Sequence, residues 1–151
     1  MRRLAVVVGL LAFAACGPKE ETPVDTSATA APPAPTLTFA DVAGTWTARA
    51  MPMTSDSVIV TYEINGSADP AGWTITLPNR PPIPARVSID GDSLITDAGP
   101  YESVLRKGVQ VSTHSVTRLV NGELVGTTIA HYQTKTADSV VTLRTVATKK
   151  Q

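Results

Sequence analysis

Short segments rich in Val, Ile, Thr and Tyr recur along the chain from residue 37 onward, and turn residues separate them. Helical periodicity is almost absent from this region. Alternation of apolar and polar positions is typical of β-strands that bury one face. The pattern predicts one all-β domain over 37–151 with eight or nine strands, at 44–50, 57–64, 73–77, 84–90, 93–97, 101–106, 109–120, 123–134 and 139–148.

Tight turns predict how these strands are connected. Asn121-Gly122 is a strong type I′ hairpin sequence because both central residues must adopt positive φ, and Gly91 and Lys107-Gly108 indicate two further turns. Successive hairpins favour an antiparallel up-and-down sheet. Eight or more strands favour closure into a small barrel, since closure removes the unpaired edges, and a β-sandwich is the alternative.

The first and last predicted strands contain a pair of residues that suggests a known architecture. Gly44-Thr45-Trp46 opens the first strand, and Arg144 lies in the last one. This pattern resembles the lipocalin-like, or calycin, barrels. The resemblance implies that Gly44, Trp46 and Arg144 serve barrel closure, with the guanidinium stacked on the indole in a cation-π contact. It also implies an interior that carries a small, partly apolar molecule.

The register of the hairpin predicted at Asn121-Gly122 places the two histidines close together. Residues paired across the Asn121-Gly122 turn have numbers that sum to 243, so His114 is predicted to face Ile129, and His131 lies diagonally across on the same face. Diagonal neighbours are about 7 Å apart. A two-residue turn at 107–108 would add Tyr101 opposite His114. Tyr101, His114 and His131 therefore form a possible ligand-binding cluster.

The composition of that face favours a simpler interpretation. Gln110, Arg118 and Gln133 share it, whereas Val111 and Leu124 lie on the opposite face, together with Leu119 and Ala130. The face with the histidines is therefore expected to be solvated, and the opposite face is expected to form the core. Two imidazoles without a third protein ligand do not predict a metal site.

The start of the chain predicts export and lipidation. A basic start at 1–3, an apolar run at 4–13 and two alanines at 14–15 form a secretory signal peptide over 1–15, which is too short to span a bilayer. Residues 13–16, Phe-Ala-Ala-Cys, resemble the bacterial lipobox, in which cleavage precedes the cysteine and its sulfur is acylated. Cys16 is therefore the expected membrane anchor.

The linker and the charge balance restrict the partners. Residues 16–36 are rich in Pro, Thr and Ala and are predicted to be a disordered tether. Removing Arg2 and Arg3 from the 13 basic residues leaves 11 against 13 acidic ones, so no basic surplus predicts nucleic-acid binding. Gly17 after the cysteine, by resemblance to sorting in enteric bacteria, predicts an outer-membrane lipoprotein facing the periplasm if the cell has two membranes.

These patterns predict a cell-envelope lipoprotein whose barrel binds or sequesters a small, partly apolar ligand. The alternative is a non-enzymatic interaction or structural module of the envelope, with a barrel filled by side chains. Nucleophile-elbow, phosphate-loop and zinc-protease motifs are absent from the sequence, so neither an enzyme nor a cofactor is predicted. The expected partners are the membrane, through the N-terminal lipid, and either the ligand or another envelope protein.

We expect Cys16→Ser to abolish membrane anchoring and leave the β domain intact, because one sulfur carries the acyl group. Detergent phase partitioning of the full chain expressed in bacteria measures this, with Ser27→Ala in the linker as the control. Equal partitioning of Cys16→Ser and wild type would contradict the prediction.

Overall fold

The structure is a computed structural model that describes residues 36–151. The predicted signal peptide (1–15), Cys16 and the rest of the predicted linker, apart from residue 36, lie outside these residues. Within 36–151, no helix has the length and apolar character needed to cross a bilayer.

Eight antiparallel strands form a closed up-and-down barrel, in which each strand pairs with its sequence neighbour and the last pairs with the first. The barrel prediction is confirmed, and the sandwich alternative is not the observed fold. The strands are β1 (Gly44–Pro52), β2 (Val60–Gly66), β3 (Thr74–Thr76), β4 (Ile83–Asp90), β5 (Ser93–Glu102), β6 (Gln110–Val120), β7 (Glu123–Tyr132) and β8 (Val140–Lys149). A helix, α1 (Phe39–Val42), precedes them, and a short 3₁₀ turn (Pro70–Gly72) lies between β2 and β3.

Because each strand reverses direction, the connections alternate between two ends of the barrel. The end that we call the open end carries the loops at 53–59, 77–82, 103–109 and 133–139. The opposite end, called here the closed end, carries α1, the β2–β3 connection at 67–73, the short β4–β5 and β6–β7 turns and the end of β8. The inward-facing residues of each long strand therefore line the barrel interior from the closed end to the open end.

The predicted hairpin register is confirmed. Val120 pairs with Glu123 and His114 pairs with Ile129 across a turn in which Asn121 has φ 52° and Gly122 has φ 83°. Both angles fall in the left-handed region that a type I′ turn requires. A two-residue turn thus fixes which face every residue of β6 and β7 occupies.

The two segments predicted at 93–97 and 101–106 are parts of the single strand β5, which contains a bulge. Its pairing with β6 shifts by one residue between Ala98 and Tyr101. Gly99 sits at the bulge with φ 107°, and a Cβ there would lie 2.7 Å from the carbonyl oxygen of Val111. Glycine is therefore required both by the backbone conformation and by the close approach of β6.

The closed end is filled by aromatic packing around Trp46. This residue is 1% exposed, and its Nε1 donates a hydrogen bond of 2.9 Å to the carbonyl of Val42 in α1. Trp73 is equally buried, and the ring of Phe39 meets it edge-on with centroids 6.2 Å apart. Short helix α1 therefore acts as the floor of the barrel.

The predicted stacking of Arg144 on Trp46 was wrong. Trp46 points into the barrel, whereas Arg144 pairs with Met51 on the outer face and its guanidinium contacts the Asp56 carboxylate. Side chains alternate between the faces of a strand, so the inward positions of Leu143 and Thr145 place Arg144 outside.

Lys149 takes the position that the resemblance assigned to an arginine. It pairs with Trp46 across the β1–β8 closure, and its Nζ lies 5.4 Å from the ring centroid. A Cβ on Gly44 would come within 2.8 Å of the Lys149 Cε. The glycine at the start of β1 therefore leaves room for the lysine stem to cross toward the indole.

We expect Trp46→Ala to destabilise the domain by about 3 to 5 kcal/mol, because it removes the largest side chain from the closed end. Lys149→Met, which keeps the stem and removes the charge, should cost about 0.5 to 1 kcal/mol. Urea unfolding measures both.

A double-mutant cycle identifies the partner of Trp46. We expect Trp46→Ala to couple with Lys149→Met and to be additive with Arg144→Ala, because the latter side chain lies on the other face of the sheet. Coupling to Arg144 instead would contradict the observed packing.

Candidate functional site

A polar groove on the outer face contains both histidines. His114 Nδ1 lies 2.7 Å from Asp97 Oδ1, and Asp97 stands opposite Arg86 on the neighbouring strand. His131 lies diagonally across from His114 and opposite Ser112. We call these five residues the outer groove.

Tyr101 does not belong to this groove, which corrects the predicted cluster. Tyr101 pairs with Val111, whereas Asp97 occupies the position opposite His114. The β5–β6 connection is longer than the assumed two-residue turn, and the bulge at Gly99 moves Tyr101 to the inner face. A one-residue shift in register exchanges the faces of all following residues.

The outer groove has the properties of a solvated surface. It measures about 290 Å³ and is open to solvent along the sheet, and the His114 and Asp97 side chains are 43% and 45% exposed. Among residues 36–151, no group of three His, Cys, Asp or Glu side chains converges in a geometry that could hold a metal ion. An exposed pair of this kind is worth at most about 1 kcal/mol.

A second site lies inside the barrel, and we call it the inner chamber. It is a cavity of about 70 Å³ whose lining extends from Leu94 and Thr117 toward the closed end to Val104 and Leu105 at the open end. Its lining combines two different walls. Apolar side chains come from β1, β2 and the segment around β3, namely Ala50, Val60, Ile64, Ile75 and Leu77. The side formed by β5 to β8 carries the hydroxyl side chains, namely Thr96, Thr113, Ser115, Thr117, Thr128 and Thr145, interspersed with Leu94, Ala98, Val111, Ala130 and Leu143.

The hydroxyl wall is linked by hydrogen bonds. Thr128 Oγ1 lies 2.8 Å from Ser115 Oγ and 2.7 Å from Thr145 Oγ1, which places it at the centre of a chain across three strands. Both Thr128 and Thr145 are buried. No buried side-chain nitrogen or oxygen within 36–151 is left without a partner. Each hydroxyl also has more than one acceptor lone pair, so the wall keeps capacity for a further hydrogen bond.

Tyrosine hydroxyls extend this wall toward the open end. Burial raises the pKa of Tyr62 to about 12, and its hydrogen bonds to Thr145 and Thr128 oppose that rise. Burial also raises the pKa of Tyr101, whose hydroxyl bonds to Thr113. Both phenols are therefore uncharged donors at neutral pH. Every residue that lines the chamber is uncharged as well.

The loop at 103–109 covers part of the chamber mouth. Val104 and Leu105 line the cavity and are also 40% and 45% exposed. Ser103 Oγ accepts hydrogen bonds of 3.0 Å from the backbone nitrogens of Leu105 and Arg106, which fixes the start of the loop.

Two arginines hold the mouth loops together. The Arg80 guanidinium donates to the carbonyl oxygen of Glu102, and the Arg106 guanidinium lies 4.0 Å from the ring centroid of Tyr132 and 2.8 Å from an Asp138 oxygen. Contacts between the loops at 77–82, 103–109 and 133–139 therefore position the apolar edge of the mouth.

The sequence led us to expect a ligand in the barrel interior but did not identify the residues that line the chamber, although their pattern was present. Thr113, Ser115 and Thr117 alternate on the same face as Val111, which was predicted to be core. A hydroxyl at three successive inward positions of one strand was the signal. The wall formed by β1 to β3 could not be predicted, because it faces these hydroxyls only when the sheet closes between β1 and β8.

Comparisons with protein-family models, with curated proteins and with solved structures found no match to this chain.

We expect the domain to lose stability as the pH rises from about 10 toward 12, because the folded chain holds the Tyr62 proton more tightly than the unfolded chain does. The raised pKa stabilises the fold fully below pH 10 and ceases to do so as Tyr62 ionises. The loss attributable to Tyr62 is roughly 2 to 3 kcal/mol.

Urea unfolding between about pH 9 and 11, followed by tryptophan fluorescence, tests this expectation. Tyr62→Phe should flatten the dependence of the unfolding free energy on pH. Equal slopes for wild type and Tyr62→Phe would show that the phenol is not buried as described.

Proposed function

We propose that the protein is a membrane-anchored lipoprotein of the cell envelope whose barrel binds a small neutral molecule in the inner chamber. The sequence at 13–16 supports the anchor, and the eight-stranded up-and-down barrel supports the domain type that the resemblance implied. We infer an outer-membrane location facing the periplasm in a two-membrane cell, from Gly17 after the cysteine.

The observation that carries the ligand proposal is the difference between the two chamber walls. A molecule with an apolar body and one hydrogen-bonding edge matches an aliphatic wall opposed by a wall that combines hydroxyls with apolar side chains. Charged molecules are disfavoured, since none of the chamber-lining residues carries a charge to pair with an ion. The ligand class is therefore a small uncharged alcohol, phenol, ketone or amide.

Core packing alone gives no reason for the hydroxyls. Valine has nearly the shape of threonine and an equally high strand propensity, and it would bury an apolar surface instead of a polar one. Burying a hydroxyl costs free energy unless it is hydrogen-bonded, and the hydroxyl chain recovers only part of the gain that valines would provide. Six Thr or Ser side chains on four adjacent strands are better explained by contact with a polar group in the chamber.

The size of the chamber limits the ligand. Pockets for drug-sized molecules measure about 300 to 1,000 Å³, whereas this cavity measures about 70 Å³. A single buried water needs about 10 to 15 Å³ by this measure, so the chamber accommodates roughly five waters or one small organic molecule. Larger ligands require displacement of Val104 and Leu105 from the mouth.

The same small volume favours a second candidate function. An interior that is largely filled by side chains fits a barrel that presents its outer surface or its open end to another envelope component. This is the interaction module that the sequence left as an alternative. The two candidates differ in one measurable property, which is whether the interior exchanges its contents with a small molecule.

Titration of the full chain with n-butanol and n-hexanol, followed by NMR of the threonine and valine methyl groups, tests the ligand proposal. We expect shifts at the chamber threonines and a dissociation constant that rises about 3- to 10-fold in Thr128→Val and Thr145→Val, because each loses one hydrogen-bonding group. Stability should change by about 1 kcal/mol in Thr145→Val and by about 1 to 3 kcal/mol in Thr128→Val, which removes the shared partner of the Ser115 and Thr145 hydroxyls.

Thr142→Val is the matched control, since Thr142 lies on the same strand as Thr145 and is exposed on the outer face. It should bind the alcohols as wild type does. Absence of chamber shifts with either alcohol in the folded wild type would reject the ligand proposal and favour the interaction module.

A further inference from the structure

The exposed aliphatic side chains are concentrated at one end of the barrel. Of the eight large hydrophobic residues that are exposed within 36–151, six surround the open end, and only Leu119 and Val120 lie at the closed end. We call the six residues the rim; they are Met53, Val58, Ile59, Val104, Leu105 and Val140. They come from three separate segments of chain, so the asymmetry does not arise from one apolar stretch of sequence.

Basic residues lie in the loops at the same end of the barrel as the rim. Arg80, Lys107 and Lys135 lie in the open-end loops and have no carboxylate partner among the described residues. The two acidic residues of those loops, Asp56 and Asp138, are each paired with an arginine, and Glu102 at the end of β5 accepts a hydrogen bond of 3.0 Å from the Gly108 nitrogen. Three unpaired basic residues against one unpaired carboxylate leave the open end with a net positive charge next to exposed aliphatic groups.

The closed end has the opposite character. Its carboxylates outnumber its basic groups: Asp41, Asp69, Asp90, Asp92 and Glu123 stand against Arg118, Lys149 and Lys150. The domain is thus electrostatically polarised along the barrel axis. A negatively charged surface would attract the open end and repel the closed end.

We propose that the rim docks on an anionic lipid surface and inserts its aliphatic side chains among the lipid headgroups. Aliphatic groups beside Lys and Arg are the chemistry of peripheral membrane binding. Energetic centres of protein interfaces are instead enriched in Trp, Tyr and Arg, and no tryptophan, tyrosine or phenylalanine is among the exposed large hydrophobics of 36–151.

The rim is held in place before any lipid is bound. Arg80 donates to the carbonyl oxygens of Glu102 and Ser103, which ties the start of the 103–109 loop to the loop at 77–82, and Arg106 ties it to the loop at 133–139. Val104 and Leu105 are therefore presented without an ordering cost at docking. The proposal concerns the outside of the mouth, and it holds whether or not the inner chamber binds a ligand.

Docking on the membrane that holds the proposed anchor is compatible with the length of the linker. A ten-residue strand tilted by about 40° gives a barrel roughly 25 Å tall. The 20 residues from 17 to 36, if extended, span about 60 Å. The chain between Cys16 and the closed end is thus long enough for the open end to face the same bilayer.

Tryptophan probes at the two ends test the proposal in the full chain. Val140→Trp places the probe on the rim, and Val120→Trp is its matched control at the closed end; the two valines are 53% and 48% exposed. Vesicles contain phosphatidylglycerol and phosphatidylcholine, with phosphatidylcholine alone for comparison. Brominated acyl chains report contact with the probe by quenching. The buried Trp46 and Trp73 give the same background in both variants.

We expect the Val140→Trp emission to shift to the blue and to be quenched in the anionic vesicles, and the Val120→Trp emission to remain unchanged. Replacing Lys107 and Lys135 together with Gln should weaken vesicle binding of the rim roughly 25-fold, at about fivefold per charge. Met53→Trp, in a turn outside the strands, repeats the test if Val140→Trp misfolds.

Equal quenching of both probes, or quenching of neither, would overturn the proposal. A blue shift of Val140→Trp that grows with protein concentration without lipid would assign the rim to a second copy of the chain and would also overturn it. Both probes share the same N-terminal segment, so failure of the proposed lipidation does not alter the comparison.

Discussion

The hydrogen bonding of β1 to β8 is the constraint on which the rest of the structure depends. Without it, the sheet would have two edges, and the inward positions of eight strands would face no common interior. Because the sheet is closed, side chains that alternate along each strand point alternately into the barrel interior and out to the surface. Trp46 then becomes part of a floor, Thr128 part of a wall and His114 part of an outer surface. The chemistry of each residue follows from its position in that alternation.

The sequence predicted what depends on local geometry. The two-residue turn at Asn121-Gly122 determines which residues of β6 and β7 pair, so the sequence alone places His114 and His131 on one face. The alternation of side chains along β8 also indicates that Arg144 points outward, because its neighbours Leu143 and Thr145 point into the barrel. The resemblance to a known barrel pattern took precedence over that simple rule, and the stacking prediction failed.

The position of Tyr101, the partner of Trp46 and the lining of the chamber could not be predicted, because they depend on features other than the register of one hairpin. The long β5–β6 connection has no fixed register, and the bulge at Gly99 changes the parity of the residues after it. Lys149 reaches Trp46 only across the closure, which joins positions about a hundred residues apart. The division of the chamber into an aliphatic and a hydroxyl wall likewise requires distant strands to meet. These are consequences of tertiary pairing, which no local pattern determines.

The bulge in β5 has a consequence for how such a domain can change over evolutionary time. Before Gly99 in the sequence the even-numbered residues of β5 face inward, and after Gly99 the odd-numbered residues face inward. Moving the bulge by one position along the strand would exchange an interior side chain for a surface one without altering the identity of either. A barrel of this type can therefore acquire a new interior composition through a shift in where one strand kinks, with the stabilising closure of the sheet left untouched.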